Sequence, residues 1–337
     1  MSDVRPAQDH PSDSTPPEGL VHALLLDGTG ACSPYDWSMV GDWTPDEGSL
    51  WLHFDFEDES AQNWLRNESG LNDIAFSSLT NAETRPRALN RGDNLLLTLR
   101  GINMNPGQEP DDMVSLRIWT NGTKLISTRR RNLISTDDVL DELDAGNGPR
   151  NTVELLVVWT ERITGRMTDT IEGFEDNVLV IEERLLSGET TGIRTELAAL
   201  RKQIISVRRY LSPQREAMNR LVAENLSWLD DLNRLRLREI NDRLIRHIED
   251  MDEVRDRAVL AQEELASRIA EQMNARSYLF TVAAVIFLPL GFLTGLMGIN
   301  VGGMPGIDND NAFWIVVLLS ALVGIGLTLI FKMRRWL

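Results

Sequence analysis

YLFTVAAVIFLPLGFLTGLM (278–297), GINVGGMPGIDNDN (298–311) and AFWIVVLLSALVGIGLTLIF (312–331) follow one another in the C-terminal part of the chain. Each outer stretch has 20 residues and no charge, about 30 Å of helix, which matches the hydrocarbon core of a bilayer. A buried helix of a soluble protein explains one such run, but two in tandem read as a pair of transmembrane helices joined by a short loop. The loop carries no Lys or Arg, only Asp308 and Asp310, whose charge would draw cations to it. Arg268 and Arg276 precede the first span, and Lys332, Arg334 and Arg335 follow the second. The positive-inside rule then puts both termini in the cytoplasm and the loop outside, in a multi-pass protein of the inner (plasma) membrane. Trp314 and Trp336 stand near opposite ends of the second span, where interface anchors stand.

Outside these segments the chain reads as water-soluble. Its formal net charge is -17, which excludes nucleic acid as a partner, because phosphate contacts need a surplus of Lys and Arg. An acidic surface instead concentrates cations, or merely aids solubility. Cys32 is the only cysteine, so no intramolecular disulfide forms, as suits a cytosolic soluble part. His10, His22, His53 and His247 are scattered, and no Cys/His spacing of a structural zinc site occurs. Neither a phosphate-binding GxxxxGK[ST] loop nor a GxSxG nucleophile elbow is present, and no nucleophile–base pair is evident, so the chain is not read as an enzyme. No cofactor is expected.

Residues 1–20 are rich in Pro, Ser and Asp without an apolar core, and are expected to be a disordered leader rather than a signal peptide. Residues 21–150 read as an α/β domain. Strands are predicted at 21–27, 49–56, 94–100, 113–119 and 123–129, the last two flanking the hairpin dipeptide Asn121-Gly122. Helices are predicted at 60–66, at 71–79 and after Ser135-Thr136, with Asp137 and Asp138 in the first turn. Residues 151–227 form a helical region, with helices at 152–186, 191–210 and 213–225. The break before the third rests on Ser212-Pro213, which fits an N-cap followed by proline at the first helical position. From Trp228 to Met297 the only helix breaker is Pro289, so one long helix is predicted, a stalk that continues as the first membrane span. Before the span this helix carries 12 acidic residues against 9 arginines, interspersed as on a solvated, ion-paired surface.

Steps of three and four back from the loop place Gly298, Gly295, Gly291, Leu288, Ala284, Thr281 and Ser277 on one helical face, continued by Asn274, Ala270, Ser267 and Glu263. That face is small or polar, while Phe, Leu, Ile and Val fill the others. Two roles fit it. Small residues let membrane helices approach closely. Alternatively, several copies of the helix surround a water-filled path, which needs a cyclic homo-oligomer because two helices cannot enclose one. Oxygens of Ser277, Thr281 and Asn300 would then meet a cation or its water shell, and Glu263 could form a ring further along. No ionisable residue lies inside either span, so no proton relay is visible.

The run IFLPLGFLTGLMGINVGGMPG (286–306), the second span ending in KMRRWL and the long preceding helix resemble the CorA superfamily of metal transporters. That superfamily is marked by Gly-x-Asn after the first span, here Gly298-Ile299-Asn300. Ile299 and the following Val-Gly-Gly-Met-Pro-Gly depart from the magnesium-channel pattern and are similar to the zinc-transporter branch, ZntB. ETRPR (83–87), LRKQIISVRRYLSPQR (200–215) and NGTKLISTR (121–129) resemble the same branch. The resemblance implies a homopentameric funnel of α+β cytoplasmic domains, with a stalk helix from each copy lining a pore across the lipid bilayer. It implies an outer mouth at Gly298, Ile299 and Asn300, where the Asn ring meets a hydrated cation. It further implies Zn2+ as cargo, with Cd2+, Ni2+ and Co2+ and proposed proton coupling. A Mg2+/Co2+ channel, and a membrane-anchored scaffold or sensor without transport, are the alternatives.

Overall fold

The computed structural model describes residues 15–299 and 310–334, so the first 14 residues of the expected leader lie outside it. The chain divides into two compact units, Met1–Gln262 and Glu263–Leu337.

The first unit is built on a seven-stranded mixed sheet, ordered β2-β1-β3-β7-β6-β5-β4. Its strands are β1 (Leu20–Leu26), β2 (Cys32–Pro34), β3 (Ser49–Asp55), β4 (Arg87–Arg91), β5 (Asn94–Gly101), β6 (Val114–Thr120) and β7 (Lys124–Arg129). Only β3 and β7 pair in parallel; every other neighbouring pair is antiparallel. Alternation decides which residues face which side. Leu50, Leu52, Phe54 and Ile126 point to one face, under α1 (Glu59–Asn67) and α2 (Asp73–Thr80), and pack with Ala61, Trp64, Leu65 and Leu79. Trp51, His53 and Ser127 point to the other, where Trp159 of α4 (Thr152–Leu186) meets both Trp51 and His53.

The five predicted strands all form within a residue or two of their expected ends. The two shortest sheet members escaped the pattern. β2 has only 3 residues, and β4 reads RALNR, an edge strand whose side chains are mostly exposed. A strand with one open edge needs no apolar run. Helix α3 (Ile134–Asp144) starts ahead of Ser135-Thr136 rather than after it, because Thr136 N–H already bonds Leu133 O.

Two expected helix boundaries are corrected. α5 runs unbroken from Ile193 to Ala223 with Pro213 inside it, where a break at Ser212-Pro213 was predicted. An interior proline removes one helical hydrogen bond and costs about 3 kcal/mol. Burial offsets that cost: Leu211, Gln214, Ala217 and Met218 are all enclosed, and Gln214 Oε1 accepts Arg100 N–H at 2.7 Å. The long helix α6 starts at Asp231, not Trp228. Trp228 belongs to the preceding loop, where its Nε1–H donates to Asp93 O at 2.6 Å and its ring covers Gly122. Ser227 N and Oγ add bonds to the Asp93 carboxylate at 3.0 and 2.9 Å. Thr152 Oγ, in the first turn of α4, donates to Gly122 O at 2.6 Å. One turn glycine therefore ties together the β6–β7 hairpin, the start of α4 and the lead into α6.

Within the first unit, α6 lies alongside α4 and α5. Its buried Leu237, Ile240, Leu244, Ile248, Met251, Val254 and Ala258 recur at three and four, the spacing of a core-facing stripe. Arg257 pairs with Glu182 of α4 at 2.6 Å, Arg236 with Glu161 of α4 at 3.3 Å, and Arg208 of α5 with Asp252. Half-exposed pairs of this kind contribute about 0–1 kcal/mol each and set register more than stability. α6 ends at Met297, and α7 covers Ala312–Met333.

Gly122 has φ +95°, and an added Cβ would overlap the Trp228 indole. Gly122→Ala is expected to lower unfolding stability by about 2–3 kcal/mol, seen as a lower thermal midpoint. His53 is fully buried, its Nδ1 on Ser127 Oγ at 2.8 Å, and burial holds its pKa well below the ordinary 6.5, with Arg129 and His22 adding to the shift. A depressed histidine pKa stabilises the fold fully above 6.5, and that contribution is lost as pH falls below 6.5 towards the folded-state value. Stability is therefore expected to fall by up to about 1.4 kcal/mol per pH unit below 6.5 for this proton, with a shallower slope in His53→Asn, measured by urea unfolding from pH 7.5 to 5.5.

Candidate functional site

In the second unit the α6 backbone passes through Pro289 without a break, so residues three and four apart keep a common face. Glu263, Asn274, Ser277, Thr281, Ala284, Leu288, Gly291, Gly295 and Gly298 follow along such steps, as a stripe that winds slowly round the helix, and every one is exposed in the single chain. Thr281 Oγ donates to Ser277 O at 2.9 Å. Its hydrogen is used inside the helix, so the outward lone pairs are left to accept from water or meet a cation. Nothing within 4 Å would touch a Cβ added at Gly291 or Gly295, so no contact in this chain requires glycine there. Glu263 forms no ion pair among the described residues, whereas its neighbour Glu264 pairs with Arg268 at 2.5 Å.

The remaining faces of this segment are apolar and open. Phe280, Phe287 and Phe292 are 77 %, 70 % and 70 % exposed. Such a collar is stable only against lipid or other apolar helices. Among the described residues, α6 and α7 are the two helices long and apolar enough to cross a membrane. Between them runs a groove of about 800 Å³ lined by Leu290, Gly291, Thr294, Ser320, Gly324 and Thr328, among others. Gly324 lets α7 lie close to Leu290: a Cβ there would stand 3.7 Å from the Leu290 methyl. Thr294 and Thr328 turn their hydroxyls back to Leu290 O and Gly324 O, at 2.9 and 2.8 Å, so these two hydroxyls cost little in an apolar setting, whereas Ser320 Oγ is buried without a partner among the described residues. Ser320, Gly324 and Thr328 repeat every four residues. That small-residue spacing is legible in the sequence itself.

Gly298 closes the helix, its N–H bonding Thr294 O and Gly295 O at 3.0 and 3.1 Å, and Ile299 is half exposed. Asn300, the Val301–Gly306 run, Asp308, Arg335 and Trp336 lie outside the described residues; Asp310 is described and exposed. Among the described residues no group of three or more His, Cys, Asp or Glu side chains could hold a metal ion. His53 and His247 are buried in the first unit, and His247 Nε2 is occupied by Thr168 Oγ at 3.1 Å. The stripe thus offers hydroxyl, amide and carboxylate oxygen and no soft ligand, a donor set for a cation that keeps its water.

Residues 46–334 match the family described as CorA-like Mg2+ transporter protein. The chain belongs to the CorA-like family. Family members are transporters of divalent cations, not enzymes. The divalent cation transporter CmaX of Pseudomonas aeruginosa is 38 % identical over 323 residues, 95 % of this chain and 97 % of its own length. The zinc transport protein ZntB of Yersinia enterocolitica is 35 % identical over 317 residues, 94 % of this chain and 96 % of its own. The solved structure of full-length CmaX superposes with a TM-score of 0.82 at 37 % identity, covering 96 % of this chain and all of that one. The CorA magnesium transporter of Methanocaldococcus jannaschii superposes at 0.80 over 94 % of this chain and 99 % of that one, at 17 % identity, which attests the shared CorA fold alone.

If the α6 face is wetted in the assembly, thiols placed on it react from water. With Cys32→Ser as background, Cys at positions 277, 284 or 291 is expected to be modified by a charged thiol reagent at least about tenfold faster than Cys at position 280 or 287, since only a hydrated thiol ionises readily. Equal rates, measured by mass spectrometry in reconstituted membranes, would refute a wetted face.

Proposed function

We propose that this chain moves divalent metal cations inward across the inner membrane, Zn2+ first and Cd2+, Ni2+ and Co2+ besides, along the axis of a homopentamer. The observation that carries this is the unbroken α6 face of small and polar residues, exposed from Glu263 to Gly298 in a chain of the CorA-like family. Two spans per copy cannot enclose a path, so copies must surround it. Each oxygen-bearing position then becomes a ring: Glu263, Asn274, Ser277 and Thr281 along the helix, and Asn300 of the Gly298-Ile299-Asn300 loop at the outer mouth. Asp308 and Asp310 raise the local cation concentration there. The soluble unit lies in the cytoplasm with both chain termini.

Direction follows from energetics. A divalent cation entering a negative-inside cell gains about 4.6 kcal/mol per 100 mV, twice the single-charge value. Uptake therefore needs no further driver, and export would need coupling to a second gradient. A proton gradient is the coupling proposed with zinc as cargo. Ile299 and Val301–Gly306 support zinc, as do relatives named for zinc transport. A Mg2+/Co2+ channel is the second reading, supported by the family description and by the all-oxygen character of the stripe. A scaffold or sensor without transport is the third.

Uptake of 65Zn into proteoliposomes under several pH gradients separates them. Wild type is expected to take up Zn2+ with the membrane potential, and faster with the proton gradient that drives it. Removing the Asn300 amide loses hydrogen bonds to the ion's shell worth about 1.5–3 kcal/mol, so Asn300→Ala should slow uptake about ten- to a hundredfold. Gly291→Ala adds a Cβ that meets nothing in the protomer and should lower flux. Strong Mg2+ flux without Zn2+ flux would sink the zinc assignment, and unchanged flux in both variants would sink the pore.

A further inference from the structure

We propose that Asp93, in the β4–β5 turn, is a positioning residue for transport: through Ser227 and Trp228 it holds the foot of α6, and with it the stripe along which the cation passes. The inference rests on the path along α6 proposed above. Gly92 and Asp93 make the two-residue turn between Arg91 and Asn94, at the β4 edge of the sheet. Gly92, with φ +64°, supplies the geometry of that turn. The Asp93 carboxylate reaches 134 residues along the chain, accepting Ser227 N–H at 3.0 Å and the Ser227 hydroxyl at 2.9 Å. The Asp93 carbonyl accepts the Trp228 indole N–H at 2.6 Å. Asn90 of β4 donates its amide to the Glu224 carboxylate.

All four bonds reach the loop 224–230, between the end of α5 at Ala223 and the start of α6 at Asp231. Leu226 and Leu229 of that loop are buried, so it is seated as well as bonded. In the first turn of α6, Arg234 donates to Val222 O and Glu224 O, both at 2.7 Å. The foot of α6 is thus tied to the loop, and the loop to the sheet edge. Further along, α6 meets α4 and α5 through half-exposed ion pairs, Arg236–Glu161, Asp252–Arg208 and Arg257–Glu182. Long, flexible pairs of that kind yield to small shifts. The foot is where the sheet fixes the position of the helix.

At 67 residues α6 is about 100 Å long, so a change of about 3° in its direction shifts its far end by about 5 Å. A ring of oxygen groups around a hydrated cation is disturbed by less, because a hydrogen bond reaches only about 3 Å. Asp93 touches neither the cation nor the stripe, so its effect is on placement alone. The two bonds from Ser227 hold the Asp93 carboxyl below the ordinary carboxylate range, so it is ionised at neutral pH. Asp93 and Ser227 are exposed, and water replaces their bonds at little cost in folding stability. Their loss should therefore appear in transport before it appears in unfolding.

Asp93→Ala, Ser227→Ala and the double variant of the full-length protein are compared with wild type by 65Zn uptake into proteoliposomes across a range of Zn2+ concentrations. The maximal rate should fall at least about fivefold in Asp93→Ala, with the half-saturating concentration within about twofold of wild type. The thermal midpoint should fall by no more than about 4 °C. The double variant should be no slower than the slower single, because both remove one contact. Nitroxide labels at Ile74→Cys on α2 and Leu260→Cys on α6, both exposed, report the placement directly in a Cys32→Ser background. With labelled chains diluted in unlabelled protein, the distance distribution from double electron–electron resonance should broaden or shift in Asp93→Ala. An unchanged maximal rate, multiplicative losses in the double variant, or an unchanged distance distribution would overturn the proposal. The label distances need no flux, so a wild type that carried no Zn2+ would sink the zinc assignment and leave the distances to decide on Asp93.

Discussion

A helix that leaves water for hydrocarbon must keep every backbone hydrogen bond inside itself, because lipid offers no substitute partner. α6 meets that demand over 67 residues while its side chains answer to different surroundings. In the first unit a stripe of Leu, Ile, Met and Val packs among the soluble helices. In the second, small and polar residues recur at three and four among Phe, Leu, Ile and Val. Because the backbone pattern never breaks, the three- and four-residue spacing of the stripe is preserved from turn to turn. A break at Pro289 would rotate the two ends of that face apart.

Chemistry at that face is modest by design of its residue types. Thr281 spends its hydrogen on Ser277 O, and the glycines bring backbone close without adding a ligand. An oxygen-lined surface of this kind handles an ion with its hydration shell largely intact, which favours turnover over capture. Tight zinc sites use thiolate and imidazole, and this chain keeps its histidines at 53 and 247 inside the soluble unit, occupied with Ser127 and Thr168.

The soluble unit shows where polar groups are tolerated in a core. His53 and Trp51 converge on Ser127, and the Asp93–Ser227–Trp228 clasp seats the loop before α6 on the sheet. Arg117 and Arg100 keep donors left over, as do Trp159 Nε1 and Thr136 Oγ. The clasp joins Asp93 to a loop more than a hundred residues away, and Arg117 reaches the carbonyl of Asn81, so neither has a local signature.

Periodicity alone was enough for the apolar spans and the five long strands, because period and length are local properties of a helix or strand. Local signals failed where long-range burial outweighed them. Ser212-Pro213 looks like a helix start, yet Leu211 and Gln214 are held on both sides of it, so α5 continues. Trp228 looks like the first residue of a long helix, yet Gly122, more than a hundred residues earlier, claims its ring. β4 is polar enough to pass for a loop, and only its partner β5 makes it a strand. The sequence by itself determined the apolar spans and the five long strands, whose signal lies in their own residues. Tertiary structure alone decided which charges and rings are buried together, because burial is a property of neighbours brought from elsewhere in the chain.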